Sequence, residues 1–202
     1  DPGVYSCHQM IRKKALFDAG GFNPENTKGQ WVGNGESGLN LKLLKKGVSI
    51  GLSEDLRWNR CDIKSISLLP NLLEKQKAVE MGYYEIWQTR ENFVTEGSTS
   101  NAFIVNSDKV ILTHPSNNFI LGGVTRDCVI EIALQNKIPI KEKAFTIEDL
   151  NNCNEAFLSS TTAGVLPVIK VNKTVIKKGK IGEITIKLMK LYKNFIENQL
   201  NE

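Results

Sequence analysis

At 202 residues, with 41% hydrophobic and 24% charged residues, the chain has the size and composition of one globular domain, or one domain plus a fragment. The net charge of +4 is mild, and the basic run Lys177-Lys178-Gly179-Lys180 has no interleaved aromatic residue, which argues for a solvated loop rather than a nucleic-acid surface. No apolar run approaches the ~20 residues of a membrane span, and the start lacks a signal-peptide pattern, so no membrane partner is expected.

Cys7, Cys61, Cys128 and Cys153 are widely spaced, without a CxxC pair, and only two histidines accompany them. Neither a zinc site nor a disulfide framework is suggested, and a reducing cytoplasm fits best. The chain begins Asp1-Pro2-Gly3 rather than with Met, which reads as a processed or partial sequence.

Residues 1–50 read as a short, mainly helical fragment unlike the rest. The stretch Met10 to Asn23, with Ala15-Leu16-Phe17 and Gly20-Gly21-Phe22, resembles a segment of family 2 glycosyltransferases. Trp31 to Glu36, followed by Leu39 to Gly47, resembles the acidic residue and helix that come after it. In that family an acidic pair activates the acceptor hydroxyl; here Glu36 is followed by Ser37, so half of the pair is absent, and glycosyl transfer is not expected. The seam falls near Lys45-Lys46-Gly47-Val48, with no Pro, Ser or Gly run to serve as a linker. A recombined reading frame is one explanation.

From Leu52 onward the elements can be followed. Asp62 to Ser67 leads into a helix with Pro70 in its first turn and Gly82 just past its end. Tyr84 to Thr89 reads as a strand, and Arg90-Glu91-Asn92 as a turn. Ala102 to Val105 and Val110 to Thr113 are strands around the hairpin signal Asn106-Ser107-Asp108-Lys109. Thr125 caps a helix reaching Asn136, and Thr146, with Asp149 three residues on, opens a short one. Glu155 to Ser160, Val165 to Val171 and Thr174 to Ile176 are strands. Ile181, Ile184, Leu188, Leu191 and Phe195 form an apolar stripe on a final helix. The pattern predicts an α+β domain with a core built mainly of sheet.

Two patches carry candidate chemistry: Arg57-Trp58-Asn59-Arg60-Cys61-Asp62-Ile63-Lys64-Ser65 and Val94-Thr95-Glu96-Gly97-Ser98-Thr99-Ser100-Asn101. Together they resemble the D-amino acid aminotransferases of the class IV aminotransferase family, pyridoxal-phosphate (PLP) enzymes of fold type IV. The likeness runs from about residue 52 to the C-terminus. It implies a division into residues 1–50, glycosyltransferase-like, and 51–202, the large cofactor-binding domain of that fold. By resemblance Lys64 is the catalytic residue, forming a Schiff base with PLP and then moving a proton between Cα and C4′. A lysine in that role needs desolvation or nearby cations to lower its pKa.

The resemblance further implies that Glu96 pairs with the pyridine nitrogen, so that the ring acts as an electron sink. Val124 and Thr125, in Gly122-Gly123-Val124-Thr125-Arg126, would give one phosphate contact, and Ser160 and Thr161 a second. Leu121 would pack behind the ring, and Arg57 and Arg60 would lie near the cofactor. The implied reaction converts D-alanine and 2-oxoglutarate to pyruvate and D-glutamate. Branched-chain aminotransferase chemistry, aminodeoxychorismate lyase chemistry and an inactive PLP-binding remnant are the alternatives. The family is homodimeric and acts on small amino and 2-oxo acids. Its smaller N-terminal domain, with a phosphate-binding arginine and the groups for the substrate carboxylate, has no motif in residues 1–50.

Overall fold

The computed structural model describes Leu44, Lys46 and residues 47–199, apart from the Gln199 side chain. All lie within one compact unit, Leu43–Glu202. The sequence expectations for residues 1–43, the mainly helical fragment and its glycosyltransferase likeness among them, fall outside the described residues.

The strands are β1 (Val48–Glu54), β2 (Glu85–Arg90), β3 (Phe93–Gly97), β4 (Asn101–Val105), β5 (Ile111–Thr113), β6 (Ile140–Glu142), β7 (Glu155–Ser160), β8 (Gly164–Val171) and β9 (Thr174–Val175). Between them run helices α1 (Leu69–Glu80), α2 (Val124–Gln135) and α3 (Ile147–Asn151), and α4 (Glu183–Gln199) closes the described chain. The strands form one nine-stranded sheet in the order β3-β2-β1-β8-β7-β4-β5-β6, with β9 on β8. β1 pairs parallel to both β2 and β8, and β5 to β6; the remaining pairs are antiparallel. This is a mixed α/β fold.

The ends of that order explain the shape of the sheet. β3 is its first strand and β4 lies beyond β7, yet only Ser98 to Ser100 separate them in sequence. The Gly97 N–H donates to the Ser100 carbonyl at 2.7 Å. So short a connection forces the sheet to curl until its β3 edge returns to β4. The candidate site sits at this seam.

Alternation along the strands sorts the core into two layers. Ala102 and Ile104 of β4, with Ala156 and Leu158 of β7, join Ile50, Trp87, Val94, Phe145 and Val168 on the inner face. Phe103 and Val105, with Phe157, face the other way onto Val129, Ile132 and Ala133 of α2 and Leu188 of α4. The Phe103 and Phe157 rings stack at 4.7 Å. The predicted stripe of the last helix packs here through Ile184, Leu188, Leu191 and Phe195. Its first turn is capped from the sheet: Glu155 Oε1 accepts from the Ile184 N–H at 3.2 Å, and Oε2 from the Thr185 N–H at 2.8 Å.

The structure departs from expectation in several places. β1, unread in the sequence, is a central strand, and its Gly51 lies against Tyr83 and Ile86. Val94-Thr95-Glu96, to which no element was assigned, lies in strand β3, and the third residue of Thr174 to Ile176 turns out of the strand into a short 3-10 turn, Ile176–Gly179. Thr125 is not a cap. Gly123 holds the N-cap position of α2, and Thr125 is buried in the first turn. At α3, the Thr146–Asp149 capping box forms as predicted.

Candidate active site

Glu96 is the centre of the site. It lies near the end of β3, is 6% exposed, and has both carboxylate oxygens occupied. The Arg57 guanidinium forms an ion pair with Oε1. Asn101 Nδ2 donates to Oε2 at 3.0 Å, and the Leu121 backbone N–H donates to both oxygens at 3.1 Å. Burial pushes the Glu96 carboxyl up to about 7, outweighing the pull of Arg57 and of the Leu121 N–H. A carboxylate balanced near neutrality in this way can accept a proton-bearing nitrogen or carry the proton itself.

The residues around Glu96 are held from several elements. Asn101 begins β4, and its Nδ2 also donates to the Leu121 carbonyl at 2.8 Å. Leu121 thus serves the site through its backbone, in addition to any packing by its half-buried side chain. The Ser98 to Ser100 turn is gripped by Glu85 at the start of β2. Its Oε2 accepts from the Thr99 N–H at 3.2 Å and the Thr99 hydroxyl at 3.1 Å, and its Oε1 from Ser100 Oγ. Glu85 is fully buried, and that burial raises its pKa against the opposing effects of Ser100, Lys75 and Thr99.

From Glu96 the candidate phosphate residues follow along one edge. A Cβ at Gly123 would strike Asn101 Oδ1, so only glycine lets the backbone pass there. α2 starts at the next residue, and no side chain caps it, leaving first-turn N–H groups for an external acceptor. Val124 is 75% exposed and offers its backbone. Thr125 is buried and shares a hydrogen bond with the Tyr192 phenol, whose pKa is raised by burial against that bond. Tyr192 also abuts the turn after β7. Gly164 there has φ +62°, and a Cβ would stand 3.0 Å from the Tyr192 ring. Ser160 ends β7 half-buried, accepting from the Ala163 N–H at 3.1 Å, and Thr161 is exposed on the turn. The α2 start and the β7–β8 turn are therefore neighbours through Tyr192. The chemistry of these groups suits a ring nitrogen and a phosphate: a buried carboxylate, a glycine against Asn101, and an uncapped helix start beside a hydroxyl-bearing turn.

Lys64 stands apart. It lies in the loop between β1 and α1, exposed, and makes no hydrogen bond or ion pair among the described residues. The desolvation expected of it is not provided by those residues. The loop itself is tied to the Glu96 side. The Cys61 N–H donates to the Asn118 carbonyl at 2.8 Å, and Asn118 Nδ2 to the Asn59 carbonyl at 3.0 Å. Chain length keeps the Lys64 Cα within about 11 Å of Cys61. The two arginines separate: Arg57 is buried on Glu96, whereas Arg60 is exposed and pairs with Asp62 at 2.9 Å.

Two participants went unread in the sequence. Asp55 is buried behind Arg57, and Asn101 was noticed only as the end of a small-residue patch. Asp55 and Arg57, two residues apart on an extended segment, were the available signal.

Comparison with known proteins places this geometry. The family profile described as "Amino-transferase class IV" matches residues 34–171. The chain belongs to the class IV aminotransferase family. It is 47% identical over 155 residues to D-alanine aminotransferase of Staphylococcus aureus (strain N315), covering 77% of this chain and 55% of that protein. It is 43% identical over 149 residues to D-alanine aminotransferase of Listeria monocytogenes serotype 4b (strain F2365), covering 74% and 51%. The chain thus spans about half the length of these relatives. Among solved structures it resembles the T.th. branched-chain amino acid aminotransferase with pyridoxamine 5'-phosphate, with TM-score 0.71 and 28% identity over 81% of this chain and 53% of that one. The branched-chain aminotransferase of Thermoproteus uzoniensis with norvaline gives TM-score 0.67 and 32% identity over 75% and 52%. Among the described residues of this class IV chain, no helix is long and apolar enough to cross a membrane.

Proposed function

We propose that residues 47–199 form the large cofactor-binding domain of a fold type IV PLP enzyme that transaminates D-amino acids, taking D-alanine and 2-oxoglutarate to pyruvate and D-glutamate. The observation that carries this reading is Glu96, buried with both oxygens held and its pKa near neutrality, on the edge that leads to the uncapped start of α2. PLP, when bound, supplies the electron sink for the carbanion formed at the substrate Cα. Glu96 receives the N–H of the protonated ring, aimed by Arg57, Asn101 and the Leu121 N–H. Charge-assisted hydrogen bonds of this kind contribute about 1.5–3 kcal/mol each. Val124 and Thr125 at the α2 start, with Ser160 and Thr161, hold the phosphate. Lys64 carries the cofactor covalently and moves the proton at Cα.

Identity of 47% to a D-alanine aminotransferase, against 28% and 32% to branched-chain enzymes, favours the D-amino acid substrate over the alternatives. We draw the start of the domain before Val48 rather than at residue 51, because β1 is paired on both sides. For residues 1–50 no glycosyl transfer is proposed, since Ser37 stands where the second acid of that family's pair would be. Free Cys61, Cys128 and Cys153 suit a reducing cytoplasm. The exposed apolar residues of α1 and the loop before it support a homodimer, whose second copy would cover Lys64.

The test adds PLP to the purified protein, then D- or L-alanine. Loss of the visible band with D-alanine alone, and borohydride fixation of the label on Lys64, are the expected results. A label elsewhere, or none, overturns the assignment. A fixed label at Lys64 with no response to either alanine leaves a binding remnant without transaminase activity.

A further inference from the structure

Four charged side chains share one strip behind the site. Asp55 Oδ1 accepts from the Arg57 N–H at 3.0 Å and from Arg57 Nε at 2.9 Å. Its Oδ2 accepts from Arg57 Nη2 at 2.7 Å, Arg90 Nε at 3.0 Å and Thr95 Oγ1 at 3.0 Å. With Nε and Nη2 fastened in this fork, Arg57 presents Nη1 to Glu96. Arg90 is turned away from Glu96. Its Nη1 donates to Asn59 Oδ1 at 2.5 Å, and its Nη2 to the carbonyls of Arg57 at 2.7 Å and Trp58 at 3.0 Å. The remaining titratable group facing the set is the Cys61 thiol, which burial pushes up, so that it stays uncharged.

We propose that Asp55 is a positioning residue for Glu96: by holding Arg57 in a fork it fixes both the aim of the guanidinium and the share of its charge that Glu96 feels. Removing the Asp55 charge would leave Glu96 as the one carboxylate paired with Arg57, while Arg90, turned away from Glu96, would lose its ion-pair partner. Glu96 would then be claimed more tightly by Arg57 and become a poorer acceptor for a ring N–H. The bearing on cofactor binding rests on the function proposed above; the charge relation among the side chains does not.

The experiment is a carboxyl 13C NMR titration of the cofactor-free protein, with the Glu96 signal assigned by its loss in Glu96→Gln. The wild-type midpoint is expected near 7. Asp55→Asn lowers it by about one pH unit or more, and Arg57→Gln raises it. Opposite signs are the signature. General loosening would admit water and carry both variants down toward the ordinary glutamate range, which would overturn the proposal. Should Asp55→Asn not fold, Arg90→Gln serves in its place. It releases Asp55 from a competing cation and moves the midpoint up; a fall, or no movement, overturns the relay. A second readout is PLP retention on ultrafiltration, expected to weaken about tenfold in Asp55→Asn, the loss of one charged contact. If the wild type retains no PLP, the proposed function fails, while the titration still judges Asp55.

Discussion

The Glu96 strip and the Lys64 loop are built in opposite ways. Around Glu96, charge is buried and every carboxylate oxygen of Glu96 and Asp55 has a donor, from the segment after β1, from β2, β3 and β4, and from the segment before α2. Around Lys64, the side chains of Leu56, Trp58, Ile63, Ile66 and Leu68 stand in water, Ile66 at 99% exposure. The contrast shows where preorganisation is needed within one domain. A group that must hold a fixed protonation balance is locked by strand-to-strand contacts. On the function proposed above, the group that moves between partners sits on an exposed loop.

The sharpest break of that contrast is Lys64→Ala. If the chain transaminates as proposed, the rate should fall by at least about 10³-fold in single-turnover reactions, because both covalent attachment and proton transfer would be lost. Thermal stability should change by less than about 0.5 kcal/mol, as expected for an exposed side chain. Next in size is Arg57→Ala, which leaves the buried Glu96 without its cation and Asp55 with Arg90 alone as an ion-pair partner. Removing one member of a buried charge set costs about 3–5 kcal/mol, so calorimetry should show Tm falling by more than about 6 °C. Arg60→Ala, with an exposed partner, should cost no more than about 1 kcal/mol.

The pH dependence of stability sharpens the same difference. The Glu96 pKa rises from 4.5 to about 7 on folding, so between those values the folded state binds more protons than the unfolded one. Stability therefore declines as pH rises through that window, by an amount of order 3 kcal/mol, and the cost is absent below it. Glu85, also raised by burial, acts in the same direction. Asp55 has the opposite sign: its lowered pKa contributes stability that is lost as pH falls below the ordinary aspartate range. The cofactor-free protein should be most stable near pH 4–5 by these groups. Glu96→Gln should exceed the wild type in stability at pH 8 and match it at pH 5 in urea titrations; a constant difference would place the cost on another group.

Much of this contrast is legible in the sequence, and what was missed has physical reasons. Strands with apolar residues on both faces, such as Ala102 to Val105 and Glu155 to Ser160, announce themselves because each packs into both core layers. β1 did not. Val48, Ile50 and Leu52 alternate with Ser49, Gly51 and Ser53 at the period of a strand, but the pattern is short and falls at the expected seam, and its central place comes from parallel partners some 35 and 120 residues away along the chain. β3 was hidden for a related reason: Thr95 and Glu96 are polar residues in buried strand positions. Lys64, Glu96 and the α2 start are candidates through a family resemblance. Asp55 and Asn101 carry no motif of their own, and their roles appear only when β1, β3 and β4 meet.

The smallest expected effect on the fold concerns α1, whose one buried residue is Ala78. Leu69, Leu72 and Leu73 are exposed on it, continuous in sequence with exposed Ile66 and Leu68 and only a few residues from Lys64. Water-facing leucines contribute little to their own domain, so Leu72→Glu should alter unfolding free energy by less than about 0.5 kcal/mol. If a second copy covers this face, the same change introduces a buried charge at the junction and should convert an associated species to monomer in sedimentation velocity. It should also lower the PLP-dependent response to D-alanine, because Lys64 would lose its cover while the Glu96 strip stayed intact. A variant that remains associated, or a wild type that never associates, would assign the cover of Lys64 to groups other than a second copy.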